Sequence, residues 1–282
     1  MIADYVALTK PRLNVLVVAT SAAGYYLGAT SPVAAATFVS TVIGTALVAG
    51  GAAALNQVYE RDTDALMQRT RMRPLPNGRV SPAEARAFGA VLSLAGLILL
   101  TAFSTWLASA LAFATLAIYL GVYTPLKRRS PTATIVGAVP GALPPLIGWA
   151  ASHGSIALGG LSLFLIVFLW QVPHFMAIAW MYRDDYGAAG FPMLPVIDPE
   201  GRRAGRQAVG YAAALLPTSL VPAFVNLSGA LYGAVAAVLG VALLLLSIRF
   251  AAARTNATAR QLFFASLVYL PLIWIVMIAD KR

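Results

Sequence analysis

The sequence predicts an all-α, polytopic membrane protein in which nine transmembrane helices form a single domain over residues 1–282. Three observations lead there. Of the 282 residues, 60% are hydrophobic and only 11% charged, where an ordinary soluble domain carries roughly 25% charged residues. The apolar residues fall into nine runs, each near the ~20 residues that cross a hydrocarbon core as a helix. The Lys and Arg residues crowd into alternate links between these runs, the charge asymmetry that marks the two sides of a membrane.

The runs lie at roughly 14–30, 34–56, 85–104, 107–125, 134–151, 159–181, 206–226, 229–249 and 261–279. The links after the first, third, fifth and seventh are short and hold no Lys or Arg, although His153 lies in one of them. The N-terminus and the other four links hold all but Lys281 and Arg282 of the 20 basic residues. Basic loops stay cytoplasmic, so the N-terminus and the long loops at 57–84 and 182–205 are expected there. Nine crossings then put the C-terminus on the opposite side. Lys10 and Arg12 ahead of an apolar stretch also fit a signal peptide, but further spans follow at once.

Composition excludes several functions. With no cysteine, a disulfide, a thiolate metal site, a cysteine nucleophile and a thioether heme attachment are all ruled out. A net charge of +10 would suit nucleic acid if it covered one solvated face. Here it is divided among loops between apolar runs, so no nucleic-acid partner is expected, and membrane lipid is.

Acids near membrane depth are costly and are usually functional. Asn56, Glu60 and Asp64 repeat every four residues, which on a helix brings them within about 80° of one another. Three oxygen donors on one face at the end of the second span suit a hard cation such as Mg²⁺. They equally suit a solvated helix end paired to Arg61 or Arg69. Next comes Arg69-Thr-Arg-Met-Arg73-Pro-Leu-Pro76, whose guanidinium groups can bind phosphate bidentately on a backbone stiffened by proline. Tyr123 and Lys127, four residues apart at the end of the fourth span, place a phenol and an ammonium group at the same surface, as a plain interfacial anchor also would.

The sixth span contains Trp170-Gln-Val-Pro-His174-Phe and leads into Asp184-Asp185. A lone histidine in an apolar helix is commonly a hydrogen-bonded structural group. Eleven residues return to within about 20° of the same helical face, so His174 below Asp185 and beside Gln171 is also a candidate for a polar cavity.

Taken together, Asn56–Asp64, Arg69–Pro76, Tyr123–Lys127 and the Asp184-Asp185 segment resemble the UbiA superfamily of intramembrane prenyltransferases. Three segments resemble its heme-farnesylating branch: Thr9-Lys-Pro-Arg12, Trp170–Phe175 and Asp184-Asp-Tyr-Gly-Ala-Ala-Gly-Phe-Pro-Met-Leu-Pro195. The resemblance spans essentially the whole chain and implies a UbiA-type bundle around a central cavity that opens to lipid. Glu60 stands where the superfamily usually has Asp, and His174 and Met181 stand where relatives acting on aromatic acids tend to carry aspartates.

The resemblance implies Mg-dependent transfer of a farnesyl group from farnesyl diphosphate to a vinyl group of heme B, giving heme O for terminal oxidase biogenesis in the bacterial inner membrane. Asn56, Glu60, Asp64 and Asp185 would hold Mg²⁺, with Asp184 beside them. Arg69, Arg73 and Lys127 would bind diphosphate, Tyr123 would face the allylic cation, and His174 would contact heme. A heme A synthase is a candidate partner. Another aromatic or tetrapyrrole acceptor is the nearest alternative. A transporter or a non-catalytic heme-binding subunit is more distant, since the acids gather with arginines at one surface rather than at the midplane.

Overall fold

The computed structural model describes residues 2–30 and 32–282, and among these the chain is almost wholly helical. A short α1 (Ile2–Leu8) precedes α2 (Pro11–Gly28), α3 (Ala35–Leu66) and α4 (Pro82–Phe103). Then α5 (Trp106–Ala117) runs through a π-helical segment, Ile118–Tyr123, into α6 (Thr124–Leu126). Next come α7 (Ala133–His153), α8 (Leu158–Met181), the short α9 (Arg183–Ala188) and α10 (Leu194–Ile197), and finally α11 (Arg202–Phe224), α12 (Ala230–Ala253) and α13 (Asn256–Ala279).

Eight helices among the described residues are long and apolar enough to cross a membrane, with α5 and α6 counting as one continuous span, and the chain is an integral membrane protein. The expected count of nine is not reached on this measure, because Pro11, Arg12 and Asn14 dilute the first turn of α2. Yet α2 runs the length of the bundle. At its start Lys10 reaches Asn56, while at its end Lys281 Nζ donates to the carbonyls of Tyr26 and Ala29. The two chain ends therefore lie at opposite ends of the bundle. The out-of-pattern Lys281 is explained locally: a cation on the last carbonyls of a helix satisfies acceptors that have no partner within it. Asp280, the one acid at that end, accepts from the backbone N–H of Tyr232 in the first turn of α12.

In hydrocarbon every backbone polar group must be satisfied within the span, which makes helices obligatory, and with no water to expel, helices associate through close packing of small residues. The tightest example joins α2 to α7. A methyl group on Gly24 would collide with the Pro145 carbonyl, and one on Gly148 with the Ser21 carbonyl. α7 stays helical through Pro140, Pro144 and Pro145, as transmembrane helices do when neighbours re-satisfy the freed carbonyls. Around this pair, α3 packs on α2 and α4 on α3, while α8 joins α7 to α11 and α13.

Gly148→Ala should therefore lower the stability of detergent-purified protein by about 1–3 kcal/mol, the usual cost of overpacking. Gly210, with open space around it, is the control. Gly210→Ala should leave the unfolding temperature unchanged or raise it slightly, since alanine is the better helix former.

Candidate active site

No glycine or proline follows Gly51 before α3 ends at Leu66, so the helix continues ten residues beyond the predicted end of the second span and carries Asn56, Glu60 and Asp64 as one row. All three are buried, Asp64 completely. Buried polar groups need partners, and those found are cations and hydroxyls from distant segments. Asn56 Oδ1 accepts from Lys10 Nζ at 3.4 Å, and its Nδ2 donates to Thr124 Oγ1 at 3.1 Å. Lys127 Nζ lies 3.0 Å from Glu60 Oε1, and Arg73 Nη1 2.6 Å from Asp64 Oδ2. The other Asp64 oxygen, Oδ1, is buried without a hydrogen-bond partner.

The loop after α3 is pinned to the helix it follows, with Thr70 Oγ1 donating to the Asp64 carbonyl at 2.8 Å and Arg73 N–H to the Thr70 carbonyl at 2.9 Å. These turns aim Arg73 back at Asp64. Arg69 points across to α9, where its guanidinium sits 5.3 Å from the Tyr182 ring centre and 5.8 Å from that of Tyr186, and donates to the Tyr186 hydroxyl at 3.4 Å. Arg71 is exposed.

Tyr123 and Lys127 meet as their spacing predicts, but through a π-helical turn, a rare geometry frequent at functional sites. Thr124 donates to the Tyr119 carbonyl five residues back. Tyr119 and Tyr123 stack at 5.4 Å, and the Tyr123 ring packs where Gly137 has no side chain. Lys127 Nζ lies 6.0 Å from the centre of the Tyr123 ring and 4.7 Å from that of Phe191, so two aromatic faces and a carboxylate hold one ammonium group.

The second acidic segment is placed differently. α8 ends at Met181 and the chain bends at Tyr182 before α9 begins, so the eleven-residue register between His174 and Asp185 does not survive. Asp184 is exposed and Asp185 half-buried. Asp185 does not complete a three-acid cluster with Glu60 and Asp64, and among the described residues no three His, Cys, Asp or Glu side chains converge to hold a metal. His174 turns to α13. Its Nδ1 is 2.8 Å from Ser266 Oγ, and its ring stacks between Trp170 at 5.0 Å and Phe263 at 5.1 Å. Gln171 instead donates to the Ala138 carbonyl on α7, so these two neighbouring polar side chains of α8 serve different helices.

Lys10 is one of the site residues to which sequence reasoning gave no role. Its left-handed backbone, φ 48°, turns the side chain inward beside Asn56, and no pattern of charge or hydropathy encodes that. Burial, reinforced by the positive charge of Arg73, lowers its pKa to about 8 against the pull of Glu60. Thr9 and Pro11 on either side of it line an apolar cleft of about 730 Å³ between α1, α2, α3 and α4. Tyr119, Thr124, Tyr186 and Phe191 were also missed. The last two lie inside the recognised 184–195 segment, where the acids alone drew attention.

Two carboxylates and an amide on one helix face, one buried carboxylate oxygen without a partner, and three cations in contact with that row suit a divalent cation beside a phosphate. Mg²⁺ is held in that way, by one or two carboxylates plus substrate oxygens.

The model of the UbiA prenyltransferase family matches residues 17–268. A protoheme IX farnesyltransferase of Solibacter usitatus is 46% identical over 99% of this chain and 98% of its own length. A structure solved in work on digeranylgeranylglyceryl phosphate synthase in membranes has a TM-score of 0.85 at 16% identity, covering 99% of this chain and 98% of that one. A UbiA homologue from Archaeoglobus fulgidus bound to GPP and Mg²⁺ has a TM-score of 0.67 at 18% identity, covering 98% and 99%. These structural likenesses establish the fold.

Arg73→Met should destabilise the protein by about 3–5 kcal/mol, because it strands the Asp64 carboxylate in a buried setting. Adding Asp64→Asn should recover most of that loss. Thermal unfolding in detergent reads both, and additive losses in the double variant would mean that the pair is not coupled.

Proposed function

Because this chain belongs to the UbiA prenyltransferase family, we propose that it transfers the farnesyl group of farnesyl diphosphate to a vinyl group of heme B, giving heme O. The observation that carries the reading is the paired arrangement Glu60–Lys127 and Asp64–Arg73 at one end of the bundle, with 46% identity to a protoheme IX farnesyltransferase selecting the acceptor. The basic loops favour a cytoplasmic position for this end and the N-terminus, with the C-terminus across the membrane, and the reading as a heme-farnesylating enzyme favours a bacterial inner membrane.

Arg69, Arg73, Lys127 and Lys10 bind the diphosphate, the ammonium and guanidinium groups exchanging carboxylate oxygens for phosphate oxygens. When bound, Mg²⁺ would neutralise charge developing on the leaving diphosphate, and Asn56, Glu60 and Asp64 would hold it; Asp185, expected as a fourth ligand, lies apart from that row. The cations around the diphosphate are fixed before reaction, so they stabilise leaving-group charge without reorganising. The C–O bond breaks with both electrons going to the diphosphate. Tyr123, stacked on Tyr119, offers its ring face to the allylic cation. The apolar cleft beside Lys10 suits the isoprenyl chain.

The vinyl group attacks the farnesyl cation through its terminal carbon, and water captures the new cation beside the macrocycle, losing a proton to leave a hydroxyethylfarnesyl group. His174 is assigned to the heme. With Nδ1 engaged by Ser266, Nε2 is the nitrogen left to meet iron or to accept the proton. Heme A synthase is the partner that would take up the product.

Detergent-purified protein incubated with heme B, farnesyl diphosphate and Mg²⁺ should yield a farnesylated heme by chromatography and mass spectrometry. An Asp64→Ala variant should lose at least about 100-fold in rate, consistent with losing a charged group acting on the transition state. Unmodified heme with wild type, and transfer to another aromatic acceptor, would replace heme in this reading.

The pH dependence has a definite sign. Lys10 holds its charge below about pH 8 and loses it as pH rises through that value. The KM for farnesyl diphosphate should therefore rise several-fold above pH 8, as expected when a charge-assisted contact is lost. Lys10→Arg, charged throughout, should flatten that rise, and an unchanged profile would remove Lys10 from the diphosphate site.

A further inference from the structure

A pocket of about 350 Å³ lies at the same end of the bundle as Lys127, lined by Pro131, Thr132, Leu194, Arg203, Arg206 and Gln207. Its basic groups are not used by the fold. Arg202 pairs with Glu200, whereas the guanidinium groups of Arg203 and Arg206 make no hydrogen bond or ion pair among the described residues. Nor does the amide of Gln207, whose Oε1 is sealed from solvent without a partner. The start of α11 is already capped, since Asp198 Oδ2 accepts from the Arg203 N–H at 2.7 Å. The donors left over are thus side chains, two guanidinium forks and an amide NH₂, around a space large enough for a ligand group. Forks of this kind match carboxylate geometry bidentately.

The pocket adjoins the reacting centre through both of its walls. Thr132 follows Lys127 by five residues, and the chain between them is folded by bonds from the Arg129 and Ser130 N–H groups to the Leu126 carbonyl, well short of the ~17 Å that five extended residues would span. Leu194 follows Phe191 by three residues, and Phe191 packs against the Lys127 ammonium. On the reading that heme B is the acceptor, on which this inference rests, the vinyl groups occupy one edge of the macrocycle and two propionates the other. The vinyl edge must approach Lys127 and the diphosphate, whose cations are already committed to phosphate, and the propionate edge then requires cations of its own.

We propose that Arg203, Arg206 and Gln207 form the site that binds a propionate carboxylate of the tetrapyrrole acceptor and so positions its vinyl edge for transfer.

The test compares heme B with its dimethyl ester, in which both carboxylates are masked, using full-length protein in detergent. With wild type, esterification should raise the acceptor KM about tenfold, the effect of roughly 1.4 kcal/mol, and the KM for farnesyl diphosphate should stay within twofold. Arg203→Gln/Arg206→Gln should raise the KM for heme B by the same factor and no longer distinguish acid from ester. Both arginines are exposed, so the variant should fold, and the wild-type comparison needs no variant. Equal use of acid and ester by wild type would overturn the proposal. So would a variant that still discriminates, or one whose only change is a lost response to added phosphatidylglycerol, which would assign the pocket to a lipid phosphate. Heme titration followed by Soret absorbance repeats the acid-versus-ester comparison without turnover. If wild type forms no farnesylated product yet binds heme through its carboxylates, and Arg203→Gln/Arg206→Gln loses that preference, the farnesyl-transfer reading fails while the carboxylate site stands.

Discussion

Two carboxylates buried at the end of one helix set the terms for the rest of this molecule. Glu60 and Asp64 are 5% and 0% exposed, and an ionised carboxylate in such a setting is tolerable only with a cation and further hydrogen bonds. The cations come from other segments, Lys127 from the end of α6 and Arg73 from the loop after α3. The same requirement draws the 67–80 loop back onto α3 through Arg73 and holds Lys127 beside Glu60. Neutralising two acids, with Lys10 on Asn56 beside them, assembles three basic groups along one helix face, and a cluster of that kind can receive a diphosphate.

The bundle supplies rigidity and the surface loops supply chemistry. α2 and α7 meet through Gly24 and Gly148 so closely that side chains are excluded, which fixes the helix carrying Lys10 relative to the helix that the Tyr123 ring packs against. The π-helical turn at Ile118–Tyr123 shifts the register enough to stack Tyr119 on Tyr123 while keeping Lys127 at Glu60. Aromatic rings then line the space beside the cations: Tyr123, Phe191, Tyr182 and Tyr186. A reaction that releases an anion and leaves an allylic cation needs both kinds of surface, charged on one side and aromatic on the other.

The far end of the bundle is built on a different principle. There Lys281 satisfies the last carbonyls of α2 and Asp280 the N–H of Tyr232 in the first turn of α12. Charge is used there to finish helices, whereas at the Lys127 end it neutralises buried acids.

Length and hydropathy alone determine that this chain spans a membrane as helices, because hydrocarbon leaves the backbone no other choice. They also locate the spans to within a few residues, α2 included, apart from α3, which overruns its apolar stretch by ten residues. Four-residue spacing on a continuous helix likewise determines that Asn56, Glu60 and Asp64 share a face. The tertiary structure alone decides what meets that face: Lys10 through a left-handed residue, Thr124 through a π-turn, and Tyr186 rather than Asp185 beside Arg69. It also decides that His174 faces Ser266. Helical periodicity carries no information past a break such as that at Tyr182, and a buried charge selects its partner through space, from residues 9 to 67 positions away.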